Sequence, residues 1–456
     1  MQRAIQPHRV VVVGGGFGGL EVTRALHRAP IHITLIDRRN FHLFQPLLYQ
    51  VATGSLSPAN IAAPLRSVLR RQRNCTVLLG EVGGVDPRRH RLVLDDDELP
   101  FDTLVLAAGA THSYFGRSEW ATAAPGLKTL EDAIDIRRRI YVAFETAERE
   151  SDPLRREHLL TFVIIGGGPT GTELAGALAE ICRYTLRRDF RVIRPRDARI
   201  ILLDAGERLL PSYSPRTSEQ TSRTLRNLGV QVGVGCKVLH VDATGVDVAT
   251  PDGRFFIHAE TVLWAAGVEA TPLGRKIAAA LTLDVDPAGR LPVLPDLSLP
   301  GYPDIFAIGD MAHCRDERGS PLPGLAPVAQ QQGRHVARLI RNRCKGQTKA
   351  APFRYANRGT MATVGRGVAA AQVGNYTSFG FFAWLLWLFV HLLQIVQFQN
   401  RVLVLLQWSW SYITWNRSAR LITNMHPVER RHQRAHQLDQ HAGGQQRESI
   451  GRTARL

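Results

Sequence analysis

The sequence predicts an α/β protein with two Rossmann-like dinucleotide-binding domains, followed by a pair of amphipathic helices near the C-terminal end. The first observation is an internal repeat: residues 10–26 and 162–178 each read as an apolar strand, a glycine-rich turn and a helix of small apolar residues. The repeat extends further, since residues 102–109 and 261–267 are both apolar strands that end in Ala-Ala-Gly. The last observation is an aromatic, apolar stretch, residues 367–400, that carries no Asp, Glu, Lys or Arg.

The composition indicates a multidomain globular protein with an anionic partner. The chain has 456 residues, 44% of them apolar and 21% charged, which suits about two to four domains. Lys and Arg exceed Asp and Glu by 57 to 40, so nucleic acid, a membrane surface or a phosphorylated ligand must be considered. The arginines are dispersed and form no recognised nucleic-acid module, so we do not predict a nucleic-acid partner.

The cysteines and the N-terminus predict a reducing, cytoplasmic environment. The five cysteines are widely spaced without a C-x-x-C pair, which argues against a disulfide scaffold, a zinc ribbon and a redox dithiol. The first apolar strand already begins at Val10 and leaves no room for a signal peptide. We therefore expect the chain to stay on the cytoplasmic side.

The first glycine loop has the pattern of a dinucleotide site. Gly14-x-Gly16-x-x-Gly19 follows an apolar strand and opens a helix, and the next strand ends in Asp37. The first glycine allows a tight turn, the second lets the backbone approach a pyrophosphate, and the third allows close contact between helix and strand. The helix N-terminus favours the phosphate charge, and Asp37 is placed to accept hydrogen bonds from ribose hydroxyls. The complete pattern predicts a bound dinucleotide.

The second glycine loop predicts a second nucleotide. Gly166-x-Gly168-x-x-Gly171 carries Glu173 in the first turn of its helix, and its acid, Asp204, comes late because a basic insertion, residues 183–197, lengthens the connection. A carboxylate there favours a free 2′-hydroxyl over a 2′-phosphate, so NADH is preferred to NADPH. Two dinucleotide sites in one chain indicate a bound cofactor that exchanges electrons with a diffusing one. FAD and NADH are the natural pair.

A further signal is the strand that ends in Gly-Asp. Asp310 is placed to accept hydrogen bonds from the ribitol chain of a flavin, and a helix predicted from Pro327 to Ile340 would aim its positive N-terminus at the flavin ring. Another helix is predicted over residues 131–150, and short strands are predicted around Phe353 and Met361.

No metal site is predicted. Asp284-x-Asp286-x-x-Gly289 resembles the start of a calcium loop, but Pro295 occupies the position of its bidentate Glu. A flavin and a nicotinamide carry the predicted chemistry without a metal.

Together these motifs resemble the two-dinucleotide-domain flavoprotein reductases, and within them the type II NADH:quinone dehydrogenases. The resemblance covers residues 10–425 and rests on residues 14–19, 47–54, 166–176, 308–310 and 358–365 and on the aromatic C-terminal region. It implies that FAD is bound by the first glycine unit, by the region of Thr53 and Gly54, and by the Gly-Asp turn. It also implies that the second unit binds NADH, with Glu173 near the flavin and the nicotinamide.

The predicted site combines the motifs with this resemblance. The candidates for catalysis are Glu173, Gln330 and Gln331. The predicted cofactor-binding residues are Gly14, Gly16, Phe17, Gly19, Asp37, Thr53, Gly54, Ala108, Gly109, Gly166, Gly168, Gly171, Asp204, Ala266, Gly267 and Asp310.

The quinone motif that the resemblance implies is altered in this chain. The family has Ala-Gln followed after three residues by another Gln, whereas here Pro327 stands at the first position and Gln331 at the second. Gln330 or Gln332 could replace the missing amide. The alternative is that these glutamines form a solvated first turn of a helix.

The C-terminal region predicts membrane attachment. Residues 381–396 form a nearly continuous apolar run of sixteen, shorter than the roughly twenty residues that span a bilayer. Its many Phe and Trp residues are typical of two helices that lie in the membrane interface, and the resemblance implies a monotopic anchor. The positive net charge then favours an anionic leaflet. The alternative is a hydrophobic dimer interface, and the resemblance implies that a homodimer can form through C-terminal elements.

The domain limits follow from these motifs. The FAD-binding domain comprises residues 1–150 and 291–345, the NADH-binding domain residues 151–290, and the membrane-anchoring region residues 346–415. A basic tail, residues 416–456, has almost no large apolar side chains and is predicted to be disordered.

The sequence therefore predicts a peripheral, FAD-dependent NADH:quinone oxidoreductase at the cytoplasmic face of the cell membrane, with ubiquinone or menaquinone as acceptor. No set of polar spanning helices suggests a proton path, so the reaction is predicted not to pump protons. One alternative is a sulfide:quinone oxidoreductase that uses Cys182 and Cys314. The other is a non-catalytic flavoprotein that senses NADH.

Overall fold

The computed structural model describes residues 7–95, 97–347, 351–374, 376–414, 417 and 419–423. The strands are, in chain order, β1 (His8–Val13), β2 (Ile31–Asp37), β3 (Phe41–Leu43), β4 (Ala62–Pro64), β5 (Cys75–Leu79), β6 (Val82–Asp86), β7 (Arg91–Leu94), β8 (Asp97–Pro100), β9 (Thr103–Leu106), β10 (Ala110–His112), β11 (Thr161–Ile165), β12 (Arg199–Leu203), β13 (Val230–Gly233), β14 (Lys237–Asp242), β15 (Gly245–Thr250), β16 (Gly253–His258), β17 (Thr261–Trp264), β18 (Val268–Ala270), β19 (Leu291–Pro292), β20 (Ser298–Leu299), β21 (Tyr302–Ala307), β22 (Ala312–His313), β23 (Thr360–Gly365), β24 (Val368–Val373) and β25 (Tyr376–Gly380). The helices are α1 (Phe17–Ala25), α2 (Leu48–Ala52), α3 (Pro58–Ile61), α4 (Leu65–Leu69), α5 (Leu130–Arg149), α6 (Pro153–Leu159), α7 (Pro169–Glu180), α8 (Pro215–Asn227), α9 (Pro272–Leu281), α10 (Ala326–Cys344), α11 (Phe381–Gln394) and α12 (Phe398–Thr414).

The first glycine loop belongs to a six-stranded sheet in the order β20-β21-β9-β1-β2-β5. All neighbours pair in parallel except β20 and β21. Side chains of β1 alternate between the two faces: Val10 and Val12 pack with α1 and α10, whereas Val11 and Val13 pack with α9. The sheet is thus buried on both faces, as expected for a parallel sheet.

The second glycine loop belongs to a four-stranded parallel sheet in the order β13-β12-β11-β17. Its β11-α7-β12 unit repeats β1-α1-β2, and β17 pairs with β11 as β9 pairs with β1. The structure therefore confirms the predicted α/β fold with two Rossmann-like units. The residue limits of the domains stay a prediction.

Three local predictions differ in outcome. The helix predicted over residues 131–150 is α5, which begins where the Thr129 hydroxyl accepts from Asp132 N at 3.1 Å. The strand predicted around Met361 is β23, but the strand predicted around Phe353 is wrong. Phe353 N donates a single hydrogen bond to Pro295 O at 2.7 Å, so the segment is extended without joining a sheet.

The helices α11 and α12 each have one buried and one exposed apolar face. The largest exposed side chains on these helices are Phe381, Phe382, Leu385, Leu386, Phe389, Leu393, Phe398, Val402, Leu403, Leu405, Leu406, Trp410 and Ile413. Three of the aromatic residues predicted to lie in the interface, Trp384, Trp387 and Trp408, are instead buried in the protein core. Trp408 is held inside because its Nε1 donates to Gln50 Oε1 at 2.7 Å. Among the described residues, no helix has the length and hydropathy needed to cross a membrane.

After α12, the described residues 417 and 419–423 contact the body of the protein, and disorder of the tail as a whole stays a prediction. Arg417 is buried, and Ala419 N donates to Gly54 O at 3.2 Å. Arg137 Nη1 donates to Ala419 O at 3.3 Å, and Arg420 pairs with Asp189. The rest of the predicted tail lies outside the described residues.

Candidate active site

The first glycine loop closes tightly between β1 and α1. Gly14 has a φ of +105°, and a Cβ there would lie 2.3 Å from the carbonyl oxygen of Ala107. A Cβ at Gly19 would lie 1.9 Å from the carbonyl oxygen of Gly14, so only glycine lets α1 approach the strand this closely. At Gly16 no atom of the described residues lies within 4 Å of the Cβ position. This side of the loop is therefore open to a ligand.

Asp37, at the end of β2, is joined to the loop by hydrogen bonds. Its Oδ2 accepts from Gly15 N at 2.6 Å, and its Oδ1 accepts from Arg39 N at 2.7 Å. Each carboxylate oxygen can accept a further bond. The side chain is therefore positioned by the loop and still able to accept from ribose hydroxyls.

A cleft of about 490 Å³ runs past this loop. The sequence-predicted residues that line it are Gly14, Gly16, Phe17, Asp37, Ala108, Gly109, Glu173 and Asp310. Lys128 Nζ lies 3.6 Å from Asp310 Oδ2, and the first turn of α10 contributes Ala326 to the wall. The positive N-terminal end of α10 favours an electron-rich ring.

The residues of the cleft fit FAD. The open loop at the N-terminus of α1 suits a pyrophosphate, Asp37 suits a ribose, and Asp310 suits a ribitol chain. Gly19 lies behind the loop and contributes through the close approach of α1.

Thr53 and Gly54, which the resemblance places at FAD, lie outside the cleft. Neither lines the cleft, whereas Leu48 and Tyr49 of the same segment do. The Thr53 hydroxyl donates to Tyr49 O at 2.9 Å within α2 and is fully buried. Gly54 faces the C-terminal segment, since a Cβ there would lie 3.1 Å from Ala419 O. Their contacts are with α2 and the C-terminal segment, and their part in binding FAD stays a prediction.

The second glycine loop reproduces the geometry of the first. The Asp204 carboxylate accepts from Gly167 N and, at 2.6 Å, from Gly206 N. At Gly168 the Cβ position has no atom of the described residues within 4 Å, so this loop is also open on one side. Gly166 and Gly171 form the close helix–strand contact.

Ala266 and Gly267 follow β17 at the carboxyl end of the second sheet. Ser113 N donates to Gly267 O at 3.3 Å, and a Cβ at Gly267 would lie 2.7 Å from the Phe115 ring. The Phe115 ring is 70% exposed, so it covers this turn from outside. The predicted residues of the second site thus lie at the ends of neighbouring strands β11, β12 and β17.

Glu173 lies where three cavities meet. It lines the cleft of the first loop, a second cavity of about 990 Å³ and a third of about 90 Å³. Thr363 N donates to its Oε1 at 3.2 Å. Burial raises the pKa of the Glu173 carboxyl to about 8, so this group carries a proton at neutral pH.

The second cavity contains the predicted glutamines. Gln330 and Gln331 line it together with Pro169 and Thr170 from the second glycine loop and with His391 from α11. The Gln331 amide is already paired with the chain, because its Nε2 donates to Ala356 O at 2.9 Å and its Oε1 accepts from Ala356 N at 3.0 Å. Gln330 is therefore the better placed of the two to bind a ligand in the cavity.

The structure assigns Gln332 a role that the sequence did not reveal. Gln332 is buried on the inner face of α10, and its Oε1 accepts from Gly309 N at 2.6 Å. It thus fixes the turn that presents Asp310 and is neither a solvated amide nor a substitute for the altered motif. Helical spacing gives a signal for this, since Gln332 lies one turn after Val328 on the buried face.

The cysteines do not form the centre that sulfide oxidation requires. Cys182 lies after α7 in one hydrophobic core, and Cys314 lies after β22 in another. Neither lines the 490 Å³ cleft. The positions of these side chains therefore do not favour the alternative with a sulfur-carrying pair.

Two Rossmann-like units that meet at one buried carboxylate define a pyridine-nucleotide-dependent flavoprotein reductase. The family described as pyridine nucleotide-disulphide oxidoreductase matches residues 8–333. The chain belongs to this family, and within it to the type II NADH:quinone oxidoreductases, as the following relatives show.

Two relatives come from Mycobacterium tuberculosis. The type II NADH:quinone oxidoreductase Ndh is 44% identical over 430 residues, covering 93% of this chain and 92% of the relative. NdhA, of the same description, is 44% identical over 426 residues, covering 91% and 90%. These relatives confirm the family that the motifs predicted.

Solved structures show the same fold at lower identity. The structure of NDH2 from Plasmodium falciparum in complex with NADH has a TM-score of 0.84 at 18% identity and covers 91% of this chain and all of that one. The sulfide:quinone oxidoreductase from Aquifex aeolicus has a TM-score of 0.66 at 17% identity, covering 91% of this chain and 93% of that one.

Proposed function

We propose that the protein oxidises NADH and reduces a membrane quinone through bound FAD, without pumping protons. The observation that carries this proposal is the continuity of the two large cavities. They share Pro46, Thr170, Glu173, Leu325 and Ala326 in their walls, so a ligand in the first would lie close to a ligand in the second. When bound, FAD accepts two electrons from NADH and passes them to a quinone.

The first cleft would hold FAD by the residues that line it. Gly16 admits the pyrophosphate, Asp37 binds the ribose and Asp310 binds the ribitol chain. The second loop would hold NADH, and the negative charge of Asp204 disfavours a 2′-phosphate. Thr170 and Glu173 lie in the wall that both cavities share, and we propose that the nicotinamide would meet the flavin there.

The quinone would enter the 990 Å³ cavity beside α11. This cavity has polar groups from Gln330 and Gln331 and a wall from Val390 and His391 of α11. Because α11 also carries the exposed apolar face, a quinone dissolved in a bilayer would need to travel only along this helix. Glu173 would present a protonated carboxyl group to the quinone in this cavity.

The exposed face of α11 and α12 would bind the cytoplasmic face of the cell membrane. Phe382, 79% exposed, and Ile413, 79% exposed, lie on this face. Arginine-rich segments contact the chain before and after α12. Before α12, Gln397 donates to Ser67 of α4, which lies next to Arg66. After α12, Arg420 pairs with Asp189 of the basic insertion. Clustered arginines at both ends support an anionic lipid surface as partner.

A homodimer is the other assembly that we propose for this face. It would bury the same apolar side chains of α11 and α12, so the two forms compete for one surface. Comparing the mass of the purified protein in detergent with that in lipid nanodiscs would distinguish them. A dimer that persists in nanodiscs would require a second interface.

The function is tested by anaerobic mixing of the FAD-loaded protein with NADH and then with a menaquinone or ubiquinone analogue, while flavin absorbance is followed. Bleaching by NADH and recovery on adding quinone are expected. Bleaching without recovery would favour an NADH-sensing flavoprotein or another acceptor. The absence of bleaching would overturn the proposal.

A further inference from the structure

The third cavity, of about 90 Å³, links Glu173 to the C-terminal segment. We call it the inner chamber. Its walls come from α2, α7, β23, α11, α12 and Arg417, so both interface helices take part in closing it. A chamber of this volume with several polar groups is large enough for a few water molecules.

One face of α7 forms the floor of the inner chamber. Glu173, Ala177 and Glu180 all line it. At spacings of four and three residues they lie on one side of the helix. With a rise of about 1.5 Å per residue, the Cα atoms of Glu173 and Glu180 stand about 10 Å apart along the axis. Ala177 lies between them among the described residues of α7 that line the chamber.

Glu180 is held at the far end by the C-terminal segment. Arg417 Nη2 donates to Glu180 Oε2 at 2.9 Å, and the two side chains are only 7% and 13% exposed. Arg366 N donates to the other carboxylate oxygen, Oε1. Arg417 also donates to Thr53 O at 3.4 Å. The ion pair of Glu180 and Arg417 therefore forms the far end of the chamber, where a titratable carboxylate is held beside a cation.

The remaining wall is hydrogen-bonded and polar. Tyr49 Oη lies 2.9 Å from Thr363 Oγ1, and Gln50 Nε2 donates to Tyr49 Oη at 3.0 Å. The titratable and charged groups that line the chamber are Tyr49, Glu173, Glu180, Arg366, Tyr412 and Arg417. Tyr213 approaches Glu173 from the second cavity. Burial raises the pKa of both Tyr49 and Tyr213, so at neutral pH these phenols stay protonated.

The reduction of quinone by NADH consumes a proton, and Glu173 lies where this proton would be needed. In NADH + H⁺ + quinone → NAD⁺ + quinol, NADH loses two electrons and one proton as a hydride equivalent, and the second hydrogen of the quinol comes from solvent. Glu173 faces the quinone cavity and is protonated at neutral pH. If it donates this proton to a quinone oxygen, the resulting carboxylate must regain one before the next turnover.

We propose that the inner chamber is the proton inlet of Glu173, with Glu180 and Arg417 as its outer end. The inference rests on the proposed function for the use of the proton. A proton would pass from solvent at Glu180, through water in the chamber, to the Glu173 carboxylate. Glu180 and Arg417 are positioning residues, because they act through the chamber and do not touch the quinone cavity.

The direct test follows the protonated Glu173 carboxyl by infrared spectroscopy of the FAD-loaded, full-length protein. Its C=O band is assigned by its loss in Glu173→Gln. After transfer into D₂O the band shifts as the proton exchanges, without any turnover. We expect Ala177→Leu, which fills the chamber, and Glu180→Gln/Arg417→Gln, which replaces the ion pair by neutral amides, to slow this exchange about tenfold or more. The exposed Glu157→Gln is the matched control, and its exchange should equal that of the wild type.

Half-reactions give the second readout. Bleaching by NADH should stay within twofold of the wild type in both chamber variants, whereas recovery with quinone should slow about tenfold and show a larger solvent isotope effect. FAD content reports correct folding, and the double variant decides the matter if Ala177→Leu does not fold. Unchanged exchange in the folded variants would overturn the inlet. Failure of the wild type to reduce quinone would overturn the proposed function, while the exchange measurement would still test the chamber.

Discussion

Glu173 shows at the scale of one residue how burial couples stability to pH. Its pKa is raised from an ordinary value of 4.5 to about 8, so between these values the folded protein holds a proton that the unfolded chain has released. The contribution of this proton to the free energy of unfolding is fully present below pH 4.5, and it is lost as the pH rises through about 8.

We therefore expect the difference in Tm between the wild type and Glu173→Gln to change with pH. The wild type should lose stability relative to the variant from about pH 5 to about pH 8, and the difference should then level off. Thermal unfolding of the FAD-loaded proteins across this range provides the measurement. The exposed Glu157→Gln should show a constant difference. A constant difference for Glu173→Gln as well would contradict a buried, protonated carboxyl.

Asp204 is the residue that we propose to set the choice of nucleotide, by its charge and its loop contacts. Its oxygens accept from Gly167 N and Gly206 N, so Asp204→Asn retains one acceptor for the loop but loses the negative charge. We expect kcat/KM for NADH to fall about tenfold and the ratio of NADPH to NADH efficiency to rise. Steady-state kinetics with both nucleotides measure this. Glu207→Gln removes a neighbouring exposed charge and should leave the ratio unchanged.

At the scale of elements, the contact between α7 and β11 should be required for the binding of NADH but not for the binding of FAD. A Cβ at Gly171 would lie 1.8 Å from Gly166 O, so Gly171→Ala must push the helix from its strand. We expect a loss of about 1–3 kcal/mol in unfolding free energy. FAD content should be retained, and the NADH concentration needed for bleaching should rise. The control is Gly84→Ala, where no atom of the described residues lies near the Cβ position. Loss of FAD from Gly171→Ala would contradict separate sites.

The apolar face of α11 should supply membrane affinity. Phe382 and Phe389 are 79% and 59% exposed, and burying a Phe stabilises by about 1.5–3 kcal/mol. We expect Phe382→Ser/Phe389→Ser to lower binding to neutral vesicles about 10²-fold or more in a co-sedimentation assay. Phe255→Ser, at a 47% exposed Phe on β16, is the control. Equal binding of all three proteins would show that this face does not enter the bilayer.

At the scale of the whole molecule, the predictable features are those encoded by neighbouring residues. The unit β1-α1-β2 and the ends of α5 follow from local periodicity, glycines and caps; α5 begins and ends within one residue of the prediction, whereas β1 begins two residues before the predicted Val10. Local patterns could not predict the structural contacts of Gln332, Trp408 and Arg417. Their partners are Gly309, Gln50 and Glu180, which lie 23, 358 and 237 residues away along the chain. Such contacts exist only once the sheets and the interface helices have packed.

The distribution of arginine over the molecule adds a second contribution to membrane binding. The chain has a net charge of +17, and Arg187 and Arg188 lie exposed in the basic insertion that Arg420 joins to the end of α12. The backbone of this insertion is fixed, because the Glu148 carboxylate accepts from the N–H groups of residues 191–193. The arginines therefore lie in an ordered segment that contacts the described residues after α12.

We expect Arg187→Gln/Arg188→Gln to weaken binding to anionic vesicles and not to neutral ones. At about 1 kcal/mol per basic side chain near the surface, the loss is about thirtyfold at low salt and shrinks as salt screens the charges. Arg88→Gln/Arg89→Gln changes the net charge equally in the turn between β6 and β7, so it separates a local effect from overall charge. Co-sedimentation at two salt concentrations measures both. An equal loss in the two variants would mean that net charge, and not the insertion, attracts the membrane.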